Sequence, residues 1–222
     1  MVYLFLFVFQ IALLFSLSKK VQRSVSRLFY KITKSKKASA YLFAVLFLPG
    51  TYVHELSHLI TSLILFVPVG RLELIPKLEG DQLKLGSVAI GKTDFIRRFI
   101  IGIAPLIFGI SIILLLVNLL SIHRLISSDL TYVILVVYII FTISNTMFMS
   151  KRDMEGGWKL VLAFLVIFLL LYLAGFRTMV TNDSFLYSEN FKQILQTTNL
   201  YLLFPVGLDF VIVLFGKTLV NK

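Results

Sequence analysis

Apolar and polar positions alternate along the chain in blocks, and the apolar blocks have bilayer length. Residues 1–18, about 38–67, 96–120, 130–149, 158–176 and 199–216 are the apolar runs, each at least 17 residues long. A helix that crosses a hydrocarbon core needs roughly 20. With no water in lipid to satisfy a bare backbone, such runs have to be helical. The pattern therefore predicts an all-α polytopic membrane protein with about six transmembrane helices, integral to the cell membrane. One interval keeps a different period. In "GRLELIPKLEGDQLKLGSVAIGKTD", residues 70–94, Leu72, Leu74 and Leu78 precede Glu79-Gly80-Asp81, and Leu83, Leu85, Val88 and Ile90 follow it. Alternation around turn residues predicts a small β-hairpin inserted after the second run. Breaks are expected at Pro49-Gly50 in that run and at Pro205-Gly207 in the last. Pro105 predicts a kink in the third. Other connections are short, so no large extramembrane domain is expected.

Composition agrees with the pattern. The 222 residues are 58% hydrophobic with a mean hydropathy of +0.92, against about 45–50% apolar in soluble domains. There is no cysteine, which excludes disulfides, thiolate ligands and a cysteine nucleophile. Any metal must be held by nitrogen and oxygen. The net charge is +11, and eight of the bases, from Lys19 to Lys37, lie between the first two runs with no acid among them. A cytoplasmic flank explains this placement, and a surface for anionic headgroups is the sharper version. Val21, Val25, Leu28 and Ile32 recur at helical spacing there and suggest an interfacial helix over 20–37. No nucleic-acid recognition module accompanies the charge, so the expected partners are the lipid bilayer and membrane proteins. The sequence leaves oligomeric state open.

The second run carries the chemistry. His54, Glu55 and His58 spell H-E-x-x-H within "LPGTYVHELSHLITSLILFVPVG", residues 48–70. Positions four apart on a helix diverge by about 40° and rise about 6 Å, so both imidazoles reach one ion from the same face. Glu55, rotated about 100° from His54, can sit beside the ion as a base. Two nitrogens, a base and an open position for water are what hydrolytic zinc requires. Ionisable groups inside a span cost roughly 2.5–3.5 kcal/mol each on insertion scales and mark function. The plainer reading is a polar cluster that joins helices.

A third ligand has few sources: His123, Asp153, Glu155, Asp209 and the hairpin carboxylates. His123 reads as a loop residue beside Arg124. Asp209 reads as a polar group near the Pro205-Gly207 break, or as an extra polar contact to the site. Asp153 and Glu155 follow a polar stretch, "ISNTMFMSKRDMEGG", that suits irregular backbone lining a wet cavity. If each run crosses once, residues 67 and 153 emerge on the same side, which is also the hairpin's. Arg97, Arg98, Trp158 and Lys159 read as headgroup anchors.

These features resemble the site-2 protease family of intramembrane zinc metalloproteases. "HELSH" lies in a span, "NTMFMSKRD" runs from Asn145 to Asp153, and "GIAPLIFG", residues 102–109, is similar to the family's Gly-Pro motif. The likeness covers about 38–176 as a catalytic core. Residues 1–37, a first span with its basic segment, and 177–222, a loop with the last span, flank it. The resemblance implies Zn²⁺ held by His54, His58 and Asp153, with Glu155 the runner-up ligand. Glu55 is implied as the base that takes a water's proton and passes it to the leaving amine. Asn145 is implied to contact substrate or an oxyanion, and the hairpin to hold substrate extended. The function so implied is intramembrane zinc metalloendopeptidase action on membrane proteins. An ion- or proton-coupled transporter, or an inactive binding protein of protease shape, stands beside it. The positive-inside rule and a single crossing at 38–67 put the hairpin opposite the cytosol, whereas the family's faces it. A re-entrant 38–67 or an external hairpin would reconcile the two.

Overall fold

The computed structural model describes residues 2–73, 77–79, 82–84, 86–126, 129–148, 153 and 188–220. Within these, six helices carry the chain: α1 (Val2–Thr33), α2 (Lys36–Leu46), α3 (Leu48–Ile64), α4 (Phe95–Ile126), α5 (Leu130–Thr146) and α6 (Glu189–Val220). Four short strands lie between α3 and α4: β1 (Val69–Glu73), β2 (Lys77–Glu79), β3 (Gln82–Lys84) and β4 (Ser87–Ile90). The molecule is mostly helical, as its apolar blocks require.

Three helices are long and apolar enough to cross a membrane: α1, α4 over Phe95–Ser121 and α6 over Glu189–Phe215. Six crossings are not reached among the described residues. Helix α5 is apolar but has 17 residues, about 25 Å of helix against a core of about 30 Å. The run at 158–176, with Glu155, Gly156-Gly157, Trp158 and Lys159, lies outside the described residues. Membrane association also fits the apolar surface and the polar groups held inside. Phe5, Phe9, Ile107, Leu135 and Phe215 are exposed, while Gln10, Ser62, Thr142, Asn145, Asn199 and Asp209 are buried.

Several sequence expectations are corrected. Residues 20–37 are not a separate interfacial helix, because α1 runs unbroken from Val2 through the bases to Thr33. No glycine or proline interrupts it before Lys34, which turns the chain at φ 54°. Ser35 then caps α2 by accepting from the Ala38 N–H at 3.3 Å. The break at Pro49-Gly50 is a one-residue offset at Phe47, with Pro49 in the first turn of α3, where its missing N–H costs nothing. Helix α6 continues through Pro205, so Asp209 is not beside a break. The backbone at His123 is in α4 rather than a loop.

The hairpin forms as two nested antiparallel pairings. Leu72 faces Val88 in β1–β4, and Leu78 faces Leu83 in β2–β3, with a register slip between Val69 and Leu72. The expected turn residues Gly80 and Asp81 lie outside the described residues.

Helices meet where side chains are small or polar, since apolar surface alone gains nothing by leaving lipid. Helix α1 packs most extensively on α6. There Gln10 donates to the Asn199 carbonyl at 3.1 Å and Asn199 donates to the Tyr3 carbonyl at 2.8 Å. Gly50 lets α3 close on α5, since a Cβ there would collide with the Thr142 carbonyl and the Thr146 hydroxyl. Helix α3 is thereby held between α4 and α5.

Candidate metal centre

Helix α3 places His54 and His58 one turn apart, both turned toward α4 and α5. Each imidazole has one N–H when neutral, and each gives it to a backbone carbonyl. His54 Nδ1–H donates to Thr146 at 2.8 Å and His58 Nδ1–H to Ile101 at 2.8 Å. Both carbonyls are ones that a helix cannot satisfy. Thr146 is the last residue of α5, where carbonyls are orphaned. Ile101 stands four residues before Pro105, which has no N–H to offer it. Pro105, where the sequence predicts a kink, frees an acceptor for a histidine.

With both Nδ1 atoms committed, the two Nε2 atoms of neutral rings carry lone pairs, and they lie 3.2 Å apart. Two such acceptors repel unless a cation sits between them. Asp153 completes the group. Its Oδ1 is 3.4 Å from His58 Nε2 and its Oδ2 is 3.6 Å from His54 Nε2. A tetrahedral ion with bonds of about 2.0–2.1 Å sets its donors roughly 3.3–3.4 Å apart. The Nε2–Nε2 separation matches this, and one ligand atom from each of the three residues lies within 4.8 Å of the others, so the group can hold a metal ion. The carbonyl contacts are the supports that orient ligating histidines and fix their tautomer.

Asp153 reaches this point because α4 lacks side chains in its way. A Cβ at Gly102 would strike the Asp153 carbonyl, and one at Gly109 would lie 2.6 Å from Met147 Cβ. Those glycines are the small positions of "GIAPLIFG". That segment was legible as a motif, but its physical use was not.

Glu55 is buried next to the group, 8% exposed. Its side chain lies near the backbone of Val88 in β4. Gly86 lies directly over it, since a Cβ there would be 3.1 Å from Glu55 Cγ. The hairpin thus rests on the glutamate, and the edge of a two-stranded sheet borders the site. A cleft of about 300 Å³ opens here, lined by Thr51, His54, Glu55, Gly86, Thr146 and, from α1, Gln22.

Asn145 is 1% exposed. Its amide donates to the Phe141 carbonyl at 2.9 Å and to Asp209 Oδ1 at 2.7 Å. Both amide hydrogens are therefore engaged, and an oxyanion contact would displace one of them. The Asn145 carbonyl accepts from Gln22 Nε2. Asp209 so ties α6 to the end of α5, and Gln22 ties α1 to it. Neither link has a sequence signal beyond polarity inside an apolar run. Glu155 lies outside the described residues, as does the side chain of His123.

Fold and site together define a mostly helical, membrane-type protein with a half-buried His-His-Asp group able to take a metal. No protein-family profile, curated protein or solved structure matches the chain.

Proposed function

We propose that the protein is an integral, multi-pass zinc endopeptidase that hydrolyses peptide bonds of membrane proteins within or beside the bilayer. The observation that carries this reading is the meeting of the Nε2 atoms of His54 and His58 with the Asp153 carboxylate, with Glu55 on the same helix as both histidines. Zinc is the ion the donor set favours: two imidazoles and one carboxylate, no thiolate, and a fourth position for water. When bound, it supplies Lewis acidity to a water and to the scissile carbonyl.

The chain's own residues do the rest. Glu55, adjacent to His54 and buried, accepts the water's proton and returns it to the departing amine nitrogen. His54 and His58 are held by Thr146 and Ile101 and need no reorientation. The β1–β4 sheet borders the cleft, and its edge offers backbone groups to an extended peptide. A transmembrane substrate hides its carbonyls in its own helix, so a strand-like hold is needed before attack.

The test uses full-length protein in detergent with a fluorogenic peptide from a membrane segment, comparing wild type with Glu55→Gln. Cleavage is expected to fall at least a thousandfold while zinc stays near one per chain. Undiminished cleavage in the variant would refute the proposal.

A further inference from the structure

We propose that the cleft between α1 and α2 binds the headgroup of an anionic phospholipid. The inference rests only on the membrane part of the reading above and is independent of proteolysis. Lys19, Arg23 and Arg27 recur every four residues on α1 and so share one face. Lys36 faces them from the first turn of α2, and together they line a cavity of about 800 Å³. Among the described residues, no carboxylate forms an ion pair with any of the four.

Three features choose a lipid. First, the apolar stretch of α1 ends at Ser18, so Lys19 marks the level where hydrocarbon gives way to headgroups. Its ammonium sits 3.8 Å over the Phe15 ring, a cation–π contact at that boundary. Second, arginine forks match phosphate oxygens in pairs, and Tyr30, a further donor, lines the same cavity. Third, the cleft's wall on α2 includes Ala40 and Phe43 along with Lys36. An acyl chain has apolar side chains to meet next to the bases that hold its phosphate. Soluble phosphate or an acidic peptide would answer the charge but leave this apolar face unused.

Native mass spectrometry of the full chain in detergent, titrated with dioleoyl phosphatidylglycerol, tests the assignment. The comparison probes are dioleoyl phosphatidylcholine, inorganic phosphate and a glutamate-rich peptide. Phosphatidylglycerol is expected to bind at least tenfold tighter than phosphatidylcholine, and more weakly as salt rises. Arg23→Gln/Arg27→Gln should abolish that preference with metal content unchanged. Lys36→Gln, which alters only the α2 wall, should weaken phosphatidylglycerol about threefold. Equal binding of the two lipids overturns the proposal, as does a preference that survives the double variant. Free phosphate or the acidic peptide binding as tightly as phosphatidylglycerol also overturns it.

Discussion

Pro105 and Gly102 act on the site without belonging to it, one by a missing proton and the other by a missing carbon. Replacing Pro105 with alanine restores an N–H that takes up the Ile101 carbonyl, so His58 loses its partner. Zinc affinity should then fall roughly 10- to 100-fold, the usual cost of losing a support behind a ligand, although α4 itself becomes a better helix. Chelator competition measures this, and unchanged affinity would dismiss the carbonyl's role. Gly102→Ala sets a methyl against the Asp153 carbonyl, and the carboxylate must retreat. A similar loss of affinity is expected, with helical content by circular dichroism unaltered. At this scale the sequence was half legible. H-E-x-x-H announces itself by spacing alone. The carbonyls of Ile101 and Thr146 could not be read, because any residue has a carbonyl and only the fold decides which is left over.

Helices and strands were more legible than their joints. The apolar blocks gave α4, α5 and the outer parts of α1 and α6, and the alternation at 70–94 gave the hairpin. The joints were misjudged where local chemistry was outvoted. A helix tolerates Pro205 when neighbours hold both flanks, and a row of bases continues α1 when nothing breaks it. The entry to α4 shows a joint that local chemistry does govern. Asp94 Oδ1 accepts from the N–H groups of Ile96 at 3.1 Å and Arg97 at 3.0 Å. The backbone N–H of Arg97, more than its guanidinium, holds the Asp94 carboxyl below the usual carboxylate range. A lowered folded value means stability that is present above the unfolded pKa, near 3.9, and lost as pH falls through the folded one. The midpoint of unfolding should therefore decline with acid below about pH 4, and Asp94→Asn should lack that part of the decline. Between α5 and α6, Asp209→Leu strips Asn145 of one acceptor inside the bundle. The penalty for a buried donor left unpaired is about 1–3 kcal/mol, readable as a lower thermal midpoint. Asp209→Asn, which still accepts, should lose less.

Among the described residues, uncharged polar groups share the interior with Leu14, Phe47 and Ile140, while many large apolar side chains face out. This arrangement explains how a polar group able to hold a metal can exist among apolar helices. Small residues at Gly50, Gly102 and Gly109 bring backbones close, and close backbones supply the carbonyls that orient the histidines. The hairpin covers the glutamate from one side, and Gln22 of α1 closes the cleft from another. What sequence could not give was this convergence, since His54, Ile101, Thr146 and Asp153 belong to three separate stretches and meet only after packing.

Metal content decides the central claim most directly. Full-length protein purified in detergent, dialysed against zinc and assayed by elemental mass spectrometry, should hold about one ion per chain. His58→Ala and Asp153→Ala should each fall well below half that value while keeping their helical content. Stoichiometric zinc retained by both variants would show that these side chains do not meet on a shared ion, and the account would fail.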